Sequence, residues 1–506
     1  MVARRPLLAG ILPAILAGVT GLRTQRAQAD DAPPTPSPLA PAKSIWRSFY
    51  AGTRVWGYAD RHSVDAGQTF NLMLSTGPER KSIRGAIEIF RIGHHPVSGA
   101  PDRDRKLVWR SPAIMVEQQV VQITAAAIGA GWPAGLEAIT TNGWQSGYYA
   151  IDFIDEADDN RDQNVAYIVV TDKARSGDIL LVLSTNTWQA YNEFGGYSLY
   201  ASDFIGDSAQ AVSFDRPSTP DFFEHEYFLA LWLERLAADH GWKLDYAANF
   251  DVHRDPAFTE RYPLLISGSH NEYWSLAEFK AVHRRIFTLG KSTIFMGANT
   301  AYWQVRYADV NGGSDPARLG RQLVCFKSSD DPSAWRDQKP VDEQITTLFR
   351  EGALWPETML TGVAFQSYFS QEVEPPLFIP YYVASTDLPF FAGTGYEVGA
   401  SIGNLVGYEW DNRDPEGDGA RLWKAGVSRI PAIDPVAIQV LFHGKVTDLD
   451  GKPGLAEAVY FRSPAGAKVF SSGSIRWAWG LGKPGFATAP FQLFNAQLVT
   501  DFLQQG

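Results

Sequence analysis

The sequence predicts a β-rich multidomain protein, an antiparallel β-sandwich followed by an α/β domain with a mainly parallel sheet. Three observations lead there. The 506 residues amount to about three times the ~150 residues typical of one domain, so more than one core is expected. With 45% hydrophobic and 20% charged residues, the chain has ample apolar surface for globular cores. The apolar period then changes along the chain, from short alternating runs before about Asp172 to strand and helix alternation after Asp178.

In chain order, Arg4-Arg5, a mostly apolar stretch from Leu7 to Leu22 and Ala27-Gln28-Ala29 before Asp30 form the charge, core and cleavage pattern of an export signal over residues 1–29. The paired arginines are similar to a twin-arginine leader, which carries folded proteins, and predict a periplasmic or secreted product. Residues 30–43, DDAPPTPSPLAPAK, form a Pro-rich linker with too few apolar side chains to pack. Residues 44–175 carry strands such as Thr69–Leu74, Ala86–Phe90 and Tyr148–Phe153 between Gly, Pro and Asp turns, the pattern of an immunoglobulin-like sandwich.

Residues 176–506 form the α/β domain. A strand Ile179–Leu183 precedes a helix from about Glu224 to His240 that Gly241 stops, and strands follow at Leu264–Ile266 and Thr293–Met296. Between these two, Ser275-Leu276-Ala277-Glu278 is a capping box opening a second helix, in which hydroxyl and carboxylate each satisfy an orphan amide. Residues 308–401 lack periodicity and are expected to be insertions near the site mouth. Strands return at Leu405–Trp410 and Ala458–Phe461, and a last helix spans Pro490–Leu503.

Composition narrows the chemistry. A net charge of −11 argues against nucleic acid, whose phosphates need clustered Lys and Arg. One cysteine, Cys325, excludes thiolate zinc and iron–sulfur sites, so a metal here needs oxygen or nitrogen donors. Cys325 also lacks the flanking glycines of a nucleophile turn and reads as a buried structural thiol. There is no Walker loop and no GxSxG, and the leader's apolar run is too short for a membrane anchor. In an open α/β sheet, groups past the carboxyl ends of strands converge on one crevice. Three stretches qualify: Asn186–Asn192, Gly268–Trp274 and Gly297–Asn299.

Those stretches, NTWQAYNEFGG (186–196), GSHNEYWS (268–275) and FMGANTAYW (295–303), with LVCFK around Cys325, resemble the large (beta) subunit of N,N-dimethylformamidase. The likeness runs over about residues 179–502 and reaches weakly into the sandwich through WQSGYYA (144–150). The α/β region also resembles the glutamine amidotransferase class of folds. The family resemblance implies a single iron held by two tyrosines and a glutamate: Tyr191 in QAYN, Glu272 in GSHNEYW, and Tyr149 in SGYYA in preference to Tyr148. It implies catalytic or supporting roles for His270, Asn299 and Glu409 in GYEW. Two phenolates and a carboxylate balance a ferric ion, Fe3+, and suit it as hard donors. Amide hydrolysis of a small N-substituted substrate follows, with Glu409 as base, His270 at the oxyanion or leaving amine, and Asn299 orienting substrate or water. The family enzyme works with a small second subunit, so a small accessory subunit or a homo-oligomer is an expected partner. The competing expectation is a non-catalytic secreted protein whose aromatic-rich crevice binds a saccharide or peptide.

Overall fold

The structure is a computed structural model. It describes residues 53–504 except 99, 123, 201–207, 219–220, 310–318, 328–344, 352–354, 370–377, 414–437 and 449–450. The expected export signal and Pro-rich linker lie outside the described residues.

Two sheets face each other over the first third of the described chain. One is three-stranded and antiparallel, in the order Val55–Ala59, Thr69–Thr76, Ala134–Thr140. The other centres on Ser82–His95, Gly147–Asp155 and Arg161–Thr171, which pair antiparallel. Phe70, Leu72, Ile87, Ile89, Ile151 and Ile168 fill the space between the two sheets. The second sheet is buried on its other face as well. Ile92, Tyr148, Ala150 and Val169 point the opposite way and join the core of the rest of the chain. Alternate residues of one strand therefore serve two cores, because successive side chains leave a strand on opposite faces.

The larger sheet has nine strands. Leu244–Ala248, Ile179–Leu183, Leu264–Ser267, Thr293–Phe295 and Lys468–Ser471 run parallel in that order. Pro453–Arg462, Gln439–Thr447, Ile379–Val383 and Ser401–Val406 continue it antiparallel. The sheet is thus half parallel, where the sequence pattern suggested mainly parallel. Ile179, Leu181 and Leu183 pack on one face with Leu229 and Leu233 of the helix Tyr227–His240 and Phe494 and Leu498 of the helix Ala489–Leu503. Leu180 and Val182 pack on the other with Phe279, Val282 and Ile286 of the helix Leu276–Phe287. Gly241 closes the first of these helices in the left-handed conformation, and the Ser275–Glu278 capping box opens the last, both as expected.

Two expectations are corrected. Leu405–Trp410 is not one strand: Ser401–Val406 edges the large sheet, while Glu409–Asn412 pairs with Ala364–Tyr368 in a separate ribbon. Gly407 makes the break at φ +118°, where a side chain would also overlap the ring of Phe369. Residues 308–401 are not wholly insertion, since Ile379–Val383 is an interior strand of the large sheet.

Candidate active site

The parallel strands deliver their carboxyl ends to one place. The helix Thr185–Ala190 starts straight after Ile179–Leu183 and has Tyr191 as its C-cap. The turn Gly268–Glu272 follows Leu264–Ser267, and Gly297–Asn299 follows Thr293–Phe295. Buried amides tie these ends together. Asn249, at the end of Leu244–Ala248, accepts from Asn186 N (3.1 Å) and donates through Nδ2 to Asn271 Oδ1 (3.0 Å) and Glu278 Oε1 (2.9 Å). Glu272 N donates to Thr187 Oγ1 (3.0 Å), and Asn186 Nδ2 to Tyr273 O (3.0 Å). The bonds cross between segments that follow different strands, and one reaches Glu278 in the helix Leu276–Phe287, so the turns are fixed relative to one another before any ligand arrives.

At the centre stands Glu272, 1% exposed. Its Oε2 accepts from the Tyr191 hydroxyl at 3.0 Å, and its Oε1 accepts from Tyr200 in a short hydrogen bond. The two phenol rings stack at 4.4 Å. Burial, and then the Glu272 charge, push both phenol pKa values well above the ordinary range, so the phenols serve as donors to the carboxylate. Lys327 Nζ lies 3.4 Å from the centre of the Tyr200 ring and 5.0 Å from that of Trp303, within cation–π reach.

His270 sits between two carboxylates. Its Nε2 is 3.3 Å from Glu272 Oε2 and 3.4 Å from Glu409 Oε2, with no well-directed hydrogen bond to either. Burial works to lower its pKa, but the two carboxylates outweigh this and hold the imidazole well above its usual range. Asn299 Nδ2 donates to the same Glu409 oxygen at 2.9 Å, its backbone N–H to Asp411 Oδ1 at 2.9 Å, and its Oδ1 has no partner. It occupies the left-handed region at φ +53°, which an asparagine tolerates better than most residues. Burial raises Asp411 to about 8. Among the described residues, no group of three or more His, Cys, Asp or Glu is gathered to hold a metal.

Comparison with known proteins bears on the same segments. Residues 86–489 match the family described as N,N-dimethylformamidase beta subunit-like, C-terminal, a span that takes in Tyr191, His270, Glu272, Asn299 and Glu409. The chain belongs to this family. No curated protein matches it. Among solved structures, a Paenibacillus cycloisomaltooligosaccharide glucanotransferase complexed with cycloisomaltoheptaose matches at 11% identity and a TM-score of 0.15. That match covers 26% of this chain and 16% of that one.

Of the residues expected to act in a dimethylformamidase-like site, the structure gathers Tyr191, Glu272, His270, Asn299 and Glu409. It does not bring Tyr149 to them. Tyr149 points into the sandwich, stacks on Trp144 at 4.7 Å and donates its hydroxyl to Gln145 O at 2.7 Å. After burial, the charges that act most on it are those of Arg91 and Glu234. Tyr148 faces the other way but packs on Phe222, at 3.9 Å between ring centres, rather than on Glu272. The second phenol beside Glu272 is Tyr200, which the sequence reading missed, together with Asn249, Lys327 and Asp411. Asn249 was within reach of the rule used for the other three, since it follows a parallel strand. Tyr200 was not, because it returns to the site through a turn and is separated from Tyr191 by a stretch with no periodic pattern.

Behind the cluster, Glu226 is fully buried, with one oxygen accepting from Ser184 N at 3.4 Å and the other without a partner. Burial raises its pKa from 4.5 to about 8. Between those values the native chain keeps a proton that the unfolded chain has released. Stability therefore falls as pH rises through this window, by up to about 1.4 kcal/mol per pH unit for one proton. Glu226→Gln is expected to remove that share of the slope, which urea unfolding at several pH values from 5 to 8 would measure. An unchanged slope would mean that Glu226 is already ionised in the native state.

Proposed function

We propose that this chain is an amidohydrolase that cleaves the C–N bond of a small, formamide-like N-substituted amide with the help of one ferric ion. Family membership supports the coarse reading of a dimethylformamidase-like hydrolase. The observation that carries the finer one is the meeting of two phenol hydroxyls on the two oxygens of Glu272, with His270 between that carboxylate and Glu409. Tyr191, Tyr200 and Glu272 are three hard oxygen donors with a combined charge of about −3 when deprotonated, which fits a trivalent cation. When bound there, iron supplies Lewis acidity that acidifies water and polarises a carbonyl.

The chain's own residues do the rest. Glu409, held by Asn299, takes the proton of the attacking water. The water oxygen bonds to the amide carbon, and His270 donates a hydrogen bond to the developing oxyanion. The C–N bond then breaks, and the imidazolium or the protonated base delivers the proton that leaves with the amine. Carboxylate and amine are the products. The free Oδ1 of Asn299 is an acceptor for the water or for a substrate N–H.

The proposal extends to the setting. The leader pattern points to an exported, periplasmic or secreted protein. Membership of a beta subunit-like family leaves room for association with another subunit. No helix among the described residues is long and apolar enough to cross a membrane.

The test is metal analysis with a spectrum. Iron near one per chain and a visible phenolate-to-iron band are expected, with the band lost or shifted in Tyr191→Phe and in Tyr200→Phe. Tyr149→Phe is expected to keep metal and band, and to lose about 1 kcal/mol of stability from the hydroxyl's hydrogen bond to Gln145 O. Colourless, metal-free protein that binds glycans would move the site to the binding-module reading.

A further inference from the structure

Asn299 is gripped twice by a single strand. Glu409 and Asp411 stand two residues apart in Glu409–Asn412, so their side chains leave the same face, while Trp410 between them turns into the apolar core. Glu409 Oε2 accepts from the Asn299 side chain and Asp411 Oδ1 from its main-chain N–H, at 2.9 Å each. Resting on the hydrolase reading above, we infer that Asp411 is a positioning residue for the amide hydrolysis: its hold on the Asn299 main chain aims the free Oδ1 of Asn299 at the attacking water while Nδ2 stays on Glu409.

The hold is built into the sheet. Asp411 N donates to Gly473 O at 3.0 Å, and the adjacent Ser472 Oγ donates to Gly297 O, also at 3.0 Å. Asn299, Asp411, the pair Ser472–Gly473 and Gly297 therefore close a ring of bonds around the turn that follows Thr293–Phe295. Gly473 leaves that ring little slack. Its φ is +59°, and a Cβ there would overlap the carbonyl of Glu457.

Asn299 needs such a hold. At φ +53° it sits where a residue other than glycine is held only by its surroundings, and at 3% exposure a lost main-chain bond is not replaced by bulk water. Asp411 suits the task of a fixed acceptor. Burial raises it to about 8, so at pH 7 it is mostly the neutral acid and adds little negative charge beside Glu409. The competing reading is that Asp411 only satisfies a buried amide, which predicts lost stability with the chemistry unchanged.

The test compares Asp411→Asn with Asp411→Ala in the iron-loaded full chain, using N,N-dimethylformamide. That substrate has no N–H, so Asn299 Oδ1 can serve only the water, and its misplacement falls on kcat. Alanine is expected to lower kcat by about 10–10²-fold, with KM moved by less than about threefold. Iron content should hold, because among the described residues Asp411 has no hydrogen bond to Tyr191, Tyr200 or Glu272. Asparagine keeps an oxygen for Asn299 N and should keep kcat within about threefold of the parent. Should alanine fail to fold, Asp411→Ser, whose hydroxyl is too short to reach, is expected to show the same fall. A parental kcat in the folded alanine or serine variant, or equal losses in that variant and asparagine, overturns the inference. Crystals of the alanine or serine variant should place Asn299 Nδ2 more than about 3.5 Å from Glu409, and an unmoved Asn299 overturns it as well. This structural arm decides the matter even if the parent turns over no amide, a result that would remove the hydrolase reading instead.

Discussion

Glu409→Gln is expected to slow amide hydrolysis by about 10²–10⁴-fold, the range lost when a positioned general base is removed, while iron content and the visible band stay as in the parent. The separation of the two readouts follows from geometry. Glu409 approaches His270 and Asn299, whereas the phenol hydroxyls are both spent on Glu272. Glutamine keeps an oxygen to accept from Asn299 Nδ2, so the local packing survives and the lost group is the proposed base alone. The measurement is amine release from N,N-dimethylformamide or N-methylformamide beside metal analysis of the same sample. A loss of only about threefold would assign the proton to another group, and joint loss of iron and activity would make Glu409 part of the metal set. Glu272→Gln gives the contrast, since there metal and activity should fail together.

What the sequence allowed, and what it hid, can be traced to single residues. The turns carrying Tyr191, His270, Glu272 and Asn299 were legible because three apolar runs of strand length each end in Gly, amide or aromatic residues, and parallel strands send such ends to one side. The Ser275–Glu278 box was legible because it is local chemistry. Choosing between Tyr148 and Tyr149 needed the parity of Gly147–Asp155, and the usual clue was missing. That strand is covered on both faces, so it shows no polar and apolar alternation, and neither tyrosine looks outward. Tyr149 went to the sandwich core and Tyr148 to the other. Tyr200 depends on the path of a turn and on stacking with Tyr191, contacts that leave no periodic trace. Glu409 was found by its motif while its strand was misjudged, because Gly407 divides an apolar run that reads as continuous.

Gly297→Ala should be the most damaging single-methyl change near the site. A Cβ at this position would overlap the backbone carbonyl of Ser269, and its next neighbours are also Ser269 backbone atoms. No side chain can swing aside to relieve the contact, so one of two strand-end turns has to move. Gly297 is further pinned by its own carbonyl, which accepts from Ser472 Oγ at 3.0 Å, just past the neighbouring parallel strand Lys468–Ser471. Ser269 is pinned too, donating through Oγ to His225 O at 2.8 Å. Overpacking costs about 1–3 kcal/mol where side chains can adjust, and a backbone obstacle sets the expectation at about 3 kcal/mol or more. The displaced segment immediately precedes His270, so the imidazole should leave its place between Glu272 and Glu409. Variants that fold should then lose activity and iron together, because Glu272 stands two residues beyond His270 on the same turn. Thermal unfolding together with turnover would check this. Unchanged stability would show that the two turns stand further apart than the described packing allows.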